Sequence, residues 1–307
     1  MQKIKIAIVG LGKIARDQHV PVITASKAFE LVAVASPHNT LDGVRSYDSL
    51  DALLAAERDV VAVALCTTPQ VRYDLARQSL ERGLHVLLEK PPGATLSEVH
   101  TLVDLAKRKG VALFASWHSR HAAAVEQARA WVSERKLKSI SVTWKEDVRV
   151  WHPGQMWIWK AGGLGVFDPG INALSILTRV VPDLVLRDAD LSFPSNCETP
   201  IAARLLLTNP AGVEARVDFD FLQTGLQTWD VVVETDAGRL TLSMGGTVLR
   251  IDNTVVPSEG PSEYTSLYQH FATLVREHRI DVDLAPFQLV ADAFLCGRHL
   301  SVAPFSY

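Results

Sequence analysis

Cysteine is scarce in this chain: Cys66, Cys197 and Cys296 are the only three among 307 residues. An odd, scattered set with no C-x-x-C pair builds neither a disulfide framework nor a structural zinc site, and it suits a reducing compartment. Long apolar runs are missing as well. Nothing approaches the ~20 residues of a membrane span. Positive charge is not concentrated anywhere: 31 Lys and Arg stand against 34 Asp and Glu, a net charge of −3. Neither nucleic acid nor a membrane surface is therefore an expected partner. The opening MQKIKIAIVG sets basic residues before apolar ones, but the apolar run is short and no small-residue cleavage site follows. A cytoplasmic protein is the expectation.

What is present is an ordinary globular composition, 48% hydrophobic and 21% charged, in a chain long enough for two domains. The first 117 residues alternate between short apolar runs (KIAIVG, LVAVAS, VVAVALC, HVLLEK, VALFAS) and helical patterns near residues 13–24, 49–57, 70–82 and 95–109. Fully apolar strands alternating with amphipathic helices predict a parallel sheet covered on both faces. Gly83 and Gly110 fall where helix caps belong. After residue 120 the rhythm changes. A helix near 121–134 leads into KSISVTWKEDVRVW, which alternates with a period near two, and a helical pattern runs from Gly165 to Arg179. Four or five alternating segments follow between residues 184 and 251, then helices near 262–278 and 286–300. The expected fold is α/β followed by α+β. Residues 1–120 form a Rossmann dinucleotide-binding domain, and residues 121–307 a substrate-binding domain on an open, mainly antiparallel sheet. The last helix is free to pack back on the first domain, and the open sheet makes a homodimer the expected assembly.

GLGKIA places Gly10, Gly12 and Ala15 in a G-x-G-x-x-A pattern between the first strand and the first helix. The first glycine makes a tight turn, the second admits a pyrophosphate to the backbone, and the small third residue lets helix and strand pack. The helix start at Lys13 and Ile14 offers unpaired N–H groups to phosphates. The second strand ends VASPHN, with Ser36, Pro37, His38 and Asn39 and no acid. A carboxylate there would repel a 2′-phosphate; Ser36 and His38 would not, so NADP, or use of both NADP and NAD, is expected unless the loop has no preference. CTTPQ puts Thr67, Thr68 and Pro69 at the sheet's C-terminal edge, beside the same crevice. Glu89 and Lys90 end the next strand, before Pro91 and Pro92 stiffen the backbone. They make either a surface salt bridge or a cofactor-side pair with a catalytic lysine.

In the second half, Asp168 and Asn172 are four apart on one helix face. Asp168 precedes Pro169, so it either caps the helix or belongs to a site. An amide on an apolar face needs partners. TWKEDVRVWHPGQMWIW holds four of the seven tryptophans. Alternation puts Trp144 and Glu146 on one strand face, with Trp151 and His152 in the loop beyond. Such a mixture suits a polyol, whose C–H faces stack while its hydroxyls hydrogen-bond; a core or a dimer contact explains the tryptophans equally well. His118 and His121 lack a third ligand at useful spacing, so no metal is expected and His118 reads as a substrate contact.

GLGKIA, LLEKPP and the helix around Asp168, in this order and spacing over the whole chain, resemble the Gfo/Idh/MocA oxidoreductase family. GKIARDQHVP with WHPGQMWIWKAGGLGVFDPGINALSIL is similar to its aldose 1-dehydrogenase branch, which acts on L-arabinose and D-galactose. The resemblance implies oxidation of a sugar at its anomeric carbon, with Lys90, His118, Glu146, Trp151, His152, Asp168 and Asn172 around the sugar. Asp168 is the expected general base with Lys90 at the anomeric oxygen, or the two roles exchanged, since such a pair titrates as a unit, and Asn172 is expected to orient the substrate or Asp168. Many family members carry a His at the position of Asn172. A different polyol or sugar substrate, or a dinucleotide-sensing regulator on the same fold, are the rival readings.

Overall fold

The computed structural model describes residues 2–306. The chain divides into two units, Met1–His118 with Glu263–Leu284, and Ser119–Ser262 with Ala285–Tyr307.

In the first unit seven strands run parallel, in the order Ile280–Asp281, Leu113–Ser116, His85–Glu89, Ala62–Leu65, Ile4–Val9, Phe29–Ala35, Arg45–Tyr47. Alternate residues of each strand enter separate cores. Ile6, Ile8, Val34, Ala64 and Leu87 meet Tyr268, Phe271 and Leu274 of the helix Glu263–Glu277. Ala7, Val9, Val63 and Leu88 meet Leu53, Ala76, Leu80 and Leu102 on the other side. Burial on both faces is why these strands read as unbroken apolar runs. The helix Leu96–Lys109 opens with a capping box between Thr95 and Glu98, and closes on Gly110 in the left-handed region at φ 63°. The helix expected at 13–24 contains a π turn, Ala15–His19, before its α-helical part, Val20–Ala25. Pro21 has no N–H to donate, so the regular ladder is broken at this point whichever turn precedes it.

The return of Glu263–Leu284 to the first unit was not foreseen. It is this helix and its short strand, rather than the last helix, that complete the first unit. The physical reason is visible in its sequence: Tyr264, Tyr268 and Phe271 present an aromatic face that joins the core of Leu11, Ala15, Ile23 and Phe29.

At the base of this sheet His85 is buried; its Nδ1 accepts the Ala112 N–H at 2.9 Å, and the His278 ring lies edge-on at 5.0 Å. Burial, with His278 as a second cause, pushes the His85 pKa down to about 4. Because that folded value is below the ordinary 6.5, the unfolded chain takes up its proton first as pH falls. His85 therefore stabilises the fold fully above the ordinary value and progressively less down to the folded one. Urea unfolding of His85→Gln should lose less stability between these two pH values than the parent does. Parallel pH profiles for the two proteins would refute this.

The second unit is built on nine strands in the order Thr254–Val256, Val248–Ile251, Gly238–Ser243, Thr228–Thr235, Leu137–Lys145, Glu214–Asp220, Ala202–Thr208, Val185–Pro194, Arg298–Val302. The sheet is mainly antiparallel, with parallel pairing at Leu137–Lys145 with Glu214–Asp220 and at Val185–Pro194 with Arg298–Val302. Six strands, rather than four or five, lie between residues 184 and 251, because short turns such as MGG leave segments only four to six residues long. The helix Phe167–Val180 packs on the sheet between the helices Val125–Ser133 and Ala285–Cys296. Gly170 makes that approach possible: a Cβ there would stand 2.7 Å from the Phe219 ring. The last helix was expected to reach residue 300 but stops at Cys296. Gly297 follows, where a Cβ would lie 2.5 Å from the Ala293 carbonyl, and Arg298–Val302 pairs as an edge strand. Among the described residues no helix is long and apolar enough to cross a membrane.

Candidate functional site

In the first unit the strand order reverses between Ile4–Val9 and Ala62–Leu65, and GLGKIA and CTTP follow these two strands. This is the switch point at which open α/β sheets bind ligands. Gly10 has φ +90°, and a Cβ on it would stand 2.8 Å from both the N and Cγ2 of Thr67. Only glycine fits. A Cβ on Gly12 meets nothing within 4 Å, so its backbone faces open space. Ala15 is fully buried under the sheet, while Lys13 and Ile14 are exposed at the helix start, where Lys13 pairs with Asp17. The Thr67 hydroxyl is buried beside this turn without a protein partner, and Thr68 stands exposed as the N-cap of the helix Pro69–Glu81. A dinucleotide fits this cradle: open backbone at Gly12, a helix start, and a buried hydroxyl awaiting a partner.

Ser36 is buried at the end of its strand, donating its N–H to the Tyr47 carbonyl at 2.8 Å, and His38 is exposed in the loop beyond. Arg16, which sequence reasoning passed over, donates from Nη2 to the Thr40 carbonyl at 2.9 Å and so lies along this loop. Its signal was available, one residue beyond Ala15.

Glu89 turns inward. Its carboxylate is 3% exposed and engaged within the protein, so a surface salt bridge with Lys90 does not describe it. Oε1 takes His19 Nε2 at 3.1 Å and the Tyr264 hydroxyl at 2.7 Å, and Oε2 accepts the Lys90 N–H at 2.7 Å. His19 Nδ1 meets the Tyr268 hydroxyl at 2.7 Å. Burial alone would raise the Glu89 pKa, but the hydrogen bond and charge of His19 outweigh it and hold the carboxyl at about 2. Burial likewise opposes a charge on His19, yet its polar neighbours raise its pKa well above the ordinary value. Lys90 itself is half-buried. His118 is half-buried, with Nδ1 2.6 Å from Glu263 Oε2 and its ring stacked on Tyr264 at 5.3 Å.

In the second unit Asp168 is buried in the first turn of the helix Phe167–Val180, whose N-cap is Val166; capping is not its role. Asn172 is half-buried one turn on. Glu146, buried just past its strand, meets His152 Nε2 at 3.1 Å and accepts the Trp229 indole N–H at 2.9 Å. His152 Nδ1 is 3.5 Å from Asp168 Oδ2. Trp229, Glu146, His152 and Asp168 thus form one continuous polar row. Trp151 and His152, expected in a loop, lie at the end of a short helix, Val148–Trp151, with His152 as its cap. Asp147 explains this, since its side chain accepts the Arg149 N–H at 2.9 Å and starts a turn. Trp151 is exposed; its ring stands 4.8 Å from that of Trp229, which stacks on buried Trp144 at 5.6 Å. Trp229 was missed because it opens a strand some eighty residues from the tryptophan-rich stretch. The row joins a carboxylate able to accept a proton to an imidazole and a second carboxylate, beside exposed aromatic surface. Among the described residues no group of His, Cys, Asp and Glu is arranged to hold a metal ion.

A Rossmann domain with a phosphate-binding turn, joined to a unit carrying buried acid–base groups, defines a dinucleotide-dependent oxidoreductase. The Gfo/Idh/MocA model, described as an oxidoreductase family with an NAD-binding Rossmann fold, matches residues 4–116. Galactose 1-dehydrogenase of Pseudomonas fluorescens is 45% identical over 308 residues, covering 99% of each chain. The crystal structure of a D-galactose-1-dehydrogenase protein from Rhizobium etli superposes with a TM-score of 0.95 at 52% identity, over 100% of this chain and 99% of that one. A 3-ketoreductase from Actinomadura kijaniata, at TM-score 0.86 and 20% identity over 98% of this chain and 100% of its own, shares the fold alone. The chain belongs to the Gfo/Idh/MocA family of oxidoreductases, and its cofactor is NAD or NADP.

Proposed function

We propose that the chain is an aldose 1-dehydrogenase that oxidises the anomeric carbon of D-galactose and L-arabinose to the aldonolactone, with NADP or both dinucleotides as cofactor. The observation that carries this reading is the row Trp229–Glu146–His152–Asp168 beside Trp151. It joins a buried base to groups that grip hydroxyls and to aromatic faces that suit a sugar's C–H surface. The names of its full-length relatives agree with it.

Asp168 takes the proton of the anomeric hydroxyl, and Lys90 steadies the charge that grows on that oxygen. The nicotinamide, when bound, supplies the acceptor for the hydride that leaves C1. Asn172 orients the sugar or Asp168. Glu146, His152 and His118 hold ring hydroxyls, and Trp151 covers an apolar face. Gly10, Gly12, Lys13, Ile14 and Ala15 receive the pyrophosphate, with Thr67 and Thr68 beside it. Ser36 and His38, with no acid between Ser36 and Asn39, admit a 2′-phosphate. The protein works as a homodimer in the cytoplasm.

Initial rates with three sugars and both dinucleotides test this. L-Arabinopyranose is the galactopyranose ring without its exocyclic CH₂OH, so the two should give kcat/KM values within about 200-fold, the range a small increment decides. D-Glucose inverts only C4, which moves one hydroxyl off its partner. A buried polar group left unpaired costs about 1–3 kcal/mol, so glucose should trail galactose by at least about tenfold. No turnover of either galactose or arabinose would end the assignment.

A further inference from the structure

Nothing in the sequence around Arg72 marks it, yet it is among the largest fully buried side chains of the protein, at 2% exposure. It lies in the first turn of the helix Pro69–Glu81, and its guanidinium donates to three main-chain carbonyls. Nη1 reaches those of Glu89 and Pro91, and Nη2 reaches that of Thr67. The first two flank Lys90 on either side. The third belongs to the loop that closes over Gly10, where any Cβ would collide with Thr67.

Carbonyls point in fixed directions, and a planar guanidinium matches several at once with little rotamer freedom left to lose. A Leu or Met would fill the same volume without burying a charge, but it would leave buried carbonyls short of donors. A Lys would keep the charge but lacks the fork. From the other side, Glu89 Oε2 accepts the Lys90 N–H. The main chain on both sides of Lys90 is thus held by buried side chains, one of which also holds the dinucleotide loop.

We propose that Arg72 is a positioning residue that clasps the Lys90 turn to the Thr67 loop, so that Lys90 is set in place by the same contacts that shape the dinucleotide cradle. The proposal rests on the role given above to Lys90. It goes beyond that role in tying cofactor affinity and turnover to one side chain that touches neither reactant.

The test uses the full chain carrying Arg72→Met or Arg72→Lys, each alone and with Lys90→Met. Calorimetric titration with NADP⁺ and NAD⁺, without sugar, should show binding weakened about tenfold in Arg72→Met, the scale of a lost charged hydrogen bond. The kcat with D-galactose should fall about 10- to 100-fold, as for a small misplacement of a reacting group, while KM for the sugar changes little. In the Lys90→Met background Arg72→Met should lower kcat no further, which a general loss of packing would not produce. Arg72→Lys, the safer variant for folding, should fall between parent and Arg72→Met in both measurements. Parent-like binding and turnover in Arg72→Lys, or kcat losses that multiply with Lys90→Met, would overturn the proposal. Normal turnover of Lys90→Met alone would instead remove the role of Lys90. The sugar-free titration would then decide, unchanged affinity counting against the clasp and weakened affinity for it.

Discussion

Lys90→Met and Asp168→Ala should each lower kcat by about 100-fold or more, the lower end of what a positioned acid–base group contributes. Dinucleotide affinity should change little in either variant, because the proposed phosphate site is the Gly10–Ala15 turn, whose conformation is set by Gly10 against Thr67. The two substitutions combined should cost far less than the product of the separate losses. In the proposed mechanism Asp168 would receive the proton and Lys90 would steady the oxygen that gives it up, so removing one would leave the other with little to do. The helix tolerates a buried carboxylate at Asp168 in its first turn for electrostatic reasons. Its neighbour there is His152 Nδ1 at 3.5 Å, and the helix N-terminus favours negative charge. Stopped-flow traces at saturating galactose separate the chemical step from product release. Turnover within a few-fold of the parent in either single variant takes that residue out of the mechanism.

The parallel sheet and its phosphate turn were legible because each strand carries its own signature. VVAVALC and the Val86–Leu88 centre of HVLLEK are apolar, as strands buried on both faces must be, and Gly83 and Gly110 mark where helices end. The last two elements were less so. Helical and strand patterns look alike over the few residues of RHLSV, and only the backbone at Gly297, where a Cβ would meet the Ala293 carbonyl, shows that a glycine is required where the helix ends. Among site residues, Asp168 and Asn172 could be paired from their spacing, and Glu146 with Trp144 from alternation. Trp229 could not, since its place beside Glu146 depends on the pairing of Thr228–Thr235 with Leu137–Lys145, a contact across eighty residues. The inward hydrogen bonds of Glu89 were not legible either. Its position after an apolar strand is the same whether its side chain turns out to solvent or inward. The partners that draw it inward, His19 and Tyr264, stand 70 and 175 residues away.

Those partners make Glu89 the site of the largest expected effect on stability. Glu89→Gln should destabilise the first unit by about 3–5 kcal/mol, the usual cost of removing one partner from a buried ion pair. The amide keeps the volume but leaves His19, fully buried, with its proton and no opposing charge. Replacing both residues by apolar ones, His19→Phe with Glu89→Leu, should cost less than Glu89→Leu alone, because no charge is then left inside. The dependence on pH should also weaken. In the parent the His19 pKa is raised, so its contribution is complete below the ordinary 6.5 and is lost as pH rises through the folded value. The Glu89 contribution is complete above the ordinary 4.5 and fades only as pH falls toward about 2. Without Glu89 one of the groups that raise the His19 pKa is gone, so burial pulls that pKa down and the variant loses less stability than the parent as pH rises. The gap between parent and Glu89→Gln in urea unfolding should therefore be widest near pH 5.5 and narrower near pH 8.5, roughly one unit or more to either side of the unperturbed His value. A gap under about 1 kcal/mol, or one equal at both pH values, would mean that His19 is held neutral and that Glu89 serves only as a hydrogen-bond acceptor for Tyr264 and the Lys90 N–H.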